Sequence, residues 1–205
     1  MSEQFAIANH LLHPARQLAS PNRSERESTD DISLLVIHNI SLPPGIFGGG
    51  YVDDLFCNCL DASIHPFFAE IDQLRVSAHL LIERAGRVTQ YVPFDCKAWH
   101  AGQSCFLGRE ACNDFSIGIE LEGSDDTLFT DRQYATLAAI TRVLMECYPA
   151  ITGERVVGHS DIAPGRKTDP GPKFDWQRYR GQIKSDLLTI EAETFPRDSI
   201  EGEAL

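Results

Sequence analysis

Between Ile32 and Ile37 the chain reads Ile-Ser-Leu-Leu-Val-Ile, a short and nearly continuous apolar run that ends in His38-Asn39. A run of this length, rich in β-branched residues and with almost no polar alternation, reads as a β-strand covered on both faces. Strands buried on both sides belong to sheets with other layers packed on them, so this stretch points to an α/β fold. A functional side chain emerging where such a strand meets a loop would be His38.

Other segments supply the layers. Ser116–Glu122 alternates strictly, with Ile117, Ile119 and Leu121 facing one way and Gly118, Glu120 and Glu122 the other. Residues 79–83 and 88–92 flank Arg84-Ala85-Gly86-Arg87, a hairpin signal. A further strand is expected at about 155–158. Thr130-x-x-Gln133 is a capping-box pattern opening a helix that runs to about Cys147, with Tyr134, Leu137, Ile140, Leu144 and Met145 at helical spacing and Pro149 as its stop. Helices are also expected at about 65–74, with Phe67, Phe68, Ile71 and Leu74 as its stripe, and at about 175–188, with Trp176, Tyr179, Ile183 and Leu187. The reading is one α/β domain, residues 32–188, with a central mixed β-sheet flanked by helices. An N-terminal arm and polar loop (1–31) precede it, and an acidic tail (189–205) follows.

Thirty acidic against 18 basic residues leave a net charge of −12. That excludes a general nucleic-acid or anionic-membrane surface, which needs clustered Lys and Arg, but not a small anionic ligand in a local basic pocket. No run approaches the roughly 20 apolar residues of a membrane span. The first ten residues lack the basic start, apolar core and cleavage site of a secretory signal. The six cysteines are scattered without a CxxC pair, so they read as reduced thiols in a cytoplasmic compartment.

The chemistry concentrates in Gly158–Gly171. His159 ends an apolar run; a loop stiffened by proline and glycine then returns Lys167 and Asp169 two residues apart. If the strands ending at His38 and His159 lie side by side, two imidazoles and the Asp169 carboxylate meet at one sheet edge. Two histidines and a carboxylate form a catalytic zinc set with an open fourth position, where a water's pKa falls to roughly 7. By spacing alone a lone histidine at a strand end is more often a core or capping residue than a ligand. Glu120 reads either as part of a solvated strand face or as a general base. Lys167 reads as a surface lysine or as a stabiliser of a developing oxyanion. His65, before Pro66 at a helix start, and His79, opening a hairpin strand, read as structural. His100, beside Trp99 and Gly102, is placed on the cleft wall, as is the Gly/Pro-punctuated loop 42–51.

Several motifs in order carry a resemblance: Val36–Gly45, His65–Phe68, Arg75–His79, Tyr91–Asp95, Ala98–Gly102, Cys112–Gly123 and the closing loop. Together, over roughly residues 30–182, the chain resembles the cytoplasmic 1,6-anhydro-N-acetylmuramyl-L-alanine amidases (AmpD type) of bacterial cell-wall recycling. The wider group is the zinc amidases with the peptidoglycan-recognition-protein-like fold. The resemblance implies zinc held by His38, His159 and Asp169, Glu120 as acid/base and Lys167 as transition-state stabiliser. It implies hydrolysis of the amide between the lactyl group of anhydro-N-acetylmuramic acid and L-alanine, which in the family lowers the muropeptide signal for β-lactamase induction. Asn39, Arg75 and His100 are expected to contact substrate, Arg75 through a peptide carboxylate. Ala111 stands where the family often has a basic residue, which removes a second contact to the peptide end. A monomer acting on anhydromuropeptide is expected. Two rival readings are a muropeptide-binding module that does not cut and a thiol hydrolase; the latter lacks a Cys–His pairing.

Overall fold

Residues 4–184 are described by the computed structural model. In chain order its main elements are β1 (Arg16–Gln17), β2 (Leu34–Ile40), α1 (Tyr51–Phe56), α2 (Pro66–Ile71), β3 (Leu80–Ile82) and β4 (Val88–Gln90). β5 (Ser116–Glu122), α3 (Asp131–Cys147), β6 (Val156–Gly158) and α4 (His159–Ile162) follow, and then α5, helical over the described residues 176–184. The six strands form one mixed sheet in the order β6-β2-β5-β3-β4-β1. Neighbours from β6 to β3 are parallel, β3 and β4 form the antiparallel hairpin, and β1 runs parallel to β4. This is the expected α/β class.

The apolar run at Ile32 becomes β2, starting at Leu34 and running on through His38 to Ile40. Both of its faces are covered. Leu35 and Ile37 join Ile117, Ile119 and Leu121 of β5 beneath α3, where Leu137, Ile140 and Leu144 are fully buried. Each such side chain contributes about 1.5–3 kcal/mol by leaving water. Leu34 and Val36 face the other way, against Ala101, Cys112, Phe115, Val157 and Ile162. A third cluster under α1 and α2 gathers Val52, Phe56, Phe68 and Tyr91. The functional side chains emerge between these last two clusters.

The capping box of α3 forms as expected: the Thr130 hydroxyl accepts from the Gln133 N–H at 3.1 Å, and Gln133 Oε1 accepts from the Thr130 N–H at 3.1 Å. The hairpin turns at Gly86, whose φ of +81° suits glycine. α2 is shorter than its apolar stripe implied. His65 caps its start, its Nδ1 accepting from the Phe67 N–H at 3.1 Å, and the helix ends at Ile71, leaving Leu74 48 % exposed beyond it. α1 carried no periodic signal, being only six residues long. The end of the last helix at 188 and the tail 189–205 lie outside the described residues.

Residues expected as an arm and polar loop are laid against the sheet. Leu12 is fully buried, β1 extends the sheet edge, and Arg23–Glu25 pairs with Cys96–Ala98. The Arg26 guanidinium donates to the carbonyls of Phe94 (3.0 Å) and Asp114 (2.8 Å), and also to that of Ser116. All six cysteines are free thiols. Among the described residues no helix is long and apolar enough to cross a membrane.

Candidate metal centre and active site

Strand register assembles the site. β2 and β5 pair in parallel with His38 opposite Glu120, and β6 pairs with β2 so that Gly158 lies opposite Ile37. His159 follows Gly158 directly, so His159, His38 and Glu120 occupy one row across three adjacent strand ends. Alternate residues share a face of a strand, which puts His38 with Leu34 and Val36, and Glu120 with Gly118. The row therefore lies on the face away from α3.

Asp169 is delivered by the closing loop. Its carbonyl accepts from the Ser160 N–H at 3.0 Å, tying the loop back to the start of α4. Gly158 permits this return, because a Cβ there would stand 2.8 Å from Pro170 Cδ. His38 Nδ1 and His159 Nδ1 are then 3.0 Å apart, and Asp169 Oδ2 lies 2.9 Å from the first and 3.1 Å from the second. The three atoms form a group able to hold a metal ion.

The donor chemistry fits a divalent cation. Two imidazole nitrogens facing each other cannot both carry protons inward, and both address one carboxylate oxygen; a shared cation satisfies all three. Ligands at about 2.0–2.1 Å around tetrahedral zinc stand roughly 3.3 Å apart, so the triangle needs to widen only slightly. Burial, opposed by Asp169, pushes the His38 imidazole down to about 4, which keeps it in the unprotonated form a ligand requires. Burial works to raise Asp169, yet hydrogen bonds with His159 and His38 outweigh it and hold the carboxyl well below its usual range. The outward nitrogens also have partners: His159 Nε2 lies 3.1 Å from the Ala101 carbonyl, and His38 Nε2 2.9 Å from His100 Nδ1.

Glu120 is not on a solvated face. It is only 9 % exposed, and its Oε2 is buried with no hydrogen-bond partner among the described residues. Burial first, and then the negative charge of Asp169, raise its carboxyl well above the usual range, while Lys167 opposes them. A buried, unpaired acceptor beside the metal-ligand triangle is suited to taking a proton from a water and returning it. Glu122, two residues on, is buried for a different purpose. It accepts from the main-chain N–H of Gly48, and from that of Arg84 at 3.0 Å, pinning the cleft-wall loop to the sheet.

These groups open onto a cleft of about 510 Å³. Asn39, His100, Glu120, Lys167 and Asp169 line it, and the loop residues Ser41, Leu42, Pro44 and Gly45 form one wall. The Asn39 amide is held by Asp125, donating to its Oδ1 at 2.7 Å. Arg75 sits between the cleft residues Leu74 and Val76, exposed, with Nη1 donating to the carbonyls of Asp72 (3.1 Å) and Leu74 (3.2 Å). Ala111 lies in a neighbouring cavity with Arg166, whose Nη2 donates to the Ala101 carbonyl at 2.7 Å. Sequence reasoning missed Asp125, Arg166 and Ser116. Only Arg166, inside the stiff closing loop, carried any local signal.

A model of the Amidase_2 family, N-acetylmuramoyl-L-alanine amidase, matches residues 28–172. The 1,6-anhydro-N-acetylmuramyl-L-alanine amidase AmpD of Haemophilus influenzae is 61 % identical over 178 residues, covering 87 % of this chain and 97 % of that protein. A crystal structure of a selenomethionine AmpD derivative superposes with a TM-score of 0.84 at 55 % identity, covering 86 % of this chain and 98 % of the other. At 29 % identity and a TM-score of 0.55, covering 87 % of this chain and 65 % of the other, the structure of Escherichia coli AmiD is similar; it was solved with anhydro-N-acetylmuramic acid-L-Ala-D-γ-Glu-L-Lys as its substrate. With its fold and most of its length shared with them, the chain belongs to the N-acetylmuramoyl-L-alanine amidase family.

Proposed function

We propose that this amidase is zinc-dependent and cuts the amide joining the lactyl group of anhydro-N-acetylmuramic acid to L-alanine in muropeptides. The observation that carries the reading is the His38–His159–Asp169 triangle beside a buried, unpaired Glu120 carboxylate oxygen. His38, His159 and Asp169 would hold the ion through Nδ1, Nδ1 and Oδ2. When bound, zinc supplies Lewis acidity toward the amide carbonyl and acidifies a water. Glu120 takes the proton from the attacking water and delivers it to the departing L-alanine nitrogen; its raised affinity for a proton suits both halves of that transfer. Lys167, exposed at the cleft rim, places positive charge where the carbonyl oxygen turns anionic. Asn39 and Arg75 are assigned to the ligand, Asn39 as a cleft-lining residue and Arg75 from its place between the lining residues Leu74 and Val76, where a peptide carboxylate would pair with the guanidinium. We place this activity in the bacterial cytoplasm, in recycling of wall fragments, with the protein acting as a monomer.

The test is metal removal with product analysis. Chelator-treated protein is expected to lose release of the stem peptide from anhydromuropeptide, and zinc to restore it. Undiminished release by His38→Ala would end the metal reading. A binding module that does not cut is disfavoured by Glu120, since a carboxyl buried without a partner costs stability that mere binding does not need.

A further inference from the structure

We propose that His100 is a positioning residue for the metal centre, acting through His38 rather than through substrate; this rests on the metal reading above. If His38 Nδ1 is to offer its lone pair inward, the ring's proton must sit on Nε2. That nitrogen is 2.9 Å from His100 Nδ1, which must then accept and be unprotonated. The proton of His100 is therefore on Nε2, which lies 3.1 Å from Ser116 Oγ. Ser116 is fully buried at the start of β5, on the same strand as Glu120. The chain His38–His100–Ser116 is thus complete in one direction, and that direction leaves the ligand nitrogen free.

Backbone and packing hold His100 to this role. Its ring lies against Gly118, where a Cβ would stand 2.4 Å from His100 Cγ, so β5 has a glycine at the one position that lets the ring approach. The N–H groups of His100 and Ala101 both donate to Asn113 Oδ1, at 3.2 and 2.8 Å. The next carbonyl, that of Ala101, is the partner of His159 Nε2 at 3.1 Å. Two consecutive residues of one loop therefore orient both imidazoles, and Asn113 fixes the peptide group between them. Partners of this kind set the tautomer and ring angle of metal-ligating histidines, and losing one weakens metal affinity about 10- to 100-fold.

The experiment is a zinc titration of the metal-free full-length protein against a competing chelating dye. His100→Leu is expected to bind zinc about 10- to 100-fold more weakly. His100→Asn carries an oxygen near the place of Nδ1, so it is expected to recover most of that loss. Ser116→Ala, a change too small to threaten folding, is expected to weaken zinc by a lesser factor. Wild-type affinity in His100→Leu, or in Ser116→Ala if the leucine variant does not fold, overturns the proposal. So does an equal loss in the asparagine and leucine variants, or a rise in KM with zinc affinity unchanged. A wild-type protein that takes up no zinc would instead overturn the metal reading itself.

Discussion

At Glu120, burial and the charge of Asp169 both resist ionisation, and Lys167 opposes them. Exchange for glutamine keeps the size and removes the proton acceptor. Glu120→Gln is expected to retain zinc, measured by metal analysis, while turnover of anhydromuropeptide falls about 10²- to 10⁴-fold. Lys167→Met removes a charge that acts only once the carbonyl oxygen turns anionic. Its kcat is expected to fall about 10²- to 10³-fold with KM little changed, read from initial rates across substrate concentration. Gly118→Ala tests the closeness of His100 to the sheet, since the new methyl would begin 2.4 Å from the ring. A loss of about 1–3 kcal/mol is expected in urea unfolding of the metal-free protein.

β5 performs two tasks on one face, and the alternation of its residues is what makes this possible. Glu120 points toward the metal-ligand triangle, while Glu122 takes the N–H groups of Gly48 and Arg84 and so fixes a wall of the cleft. Glu122→Ala is expected to leave the sheet intact and to speed amide hydrogen exchange at Gly48 and Arg84; unchanged protection there would show that the loop is held by other contacts. The pattern of β5 was legible in the sequence, but both readings of its polar face could not be separated there, because alternation alone does not say whether a face meets water or another layer. Here every residue of the strand is buried. α3 was legible with its cap, since capping and 3.6-residue spacing are both local. The pairings of Arg16–Gln17 and Arg23–Glu25 were not, because their partners lie some 70 residues away, at Thr89–Gln90 and Cys96–Ala98.

Across the whole molecule, neutral imidazoles make the fold sensitive to acid. Burial, then the positive charge of Arg26, push His79 from its ordinary 6.5 down to about 3, and burial pushes His38 down to about 4. At these two histidines the unfolded chain binds more protons below about 6.5, so their contribution to stability is complete above that value and is lost as pH falls toward 3–4, while the raised Glu120 carboxyl works in the opposite sense. Each such group steepens the dependence by about 1.4 kcal/mol per pH unit. The urea midpoint of the metal-free protein is expected to drop between pH 6.5 and 4. His79→Asn, which keeps an acceptor for the Gly118 N–H now bonded to Nδ1 at 3.0 Å, is expected to flatten that drop. The α/β class, α3, the hairpin, and the residue types for a His-His-Asp centre followed from the amino-acid sequence alone, because periodicity, capping and loop stiffness are local properties and the motif order is specific. The contact of His38 with His159, the burial of Glu120, and the passage from His38 through His100 to Ser116 were decided only by tertiary structure. Those depend on which strands become neighbours and in what register, and the pairing of residues far apart in the chain leaves no periodic trace along it.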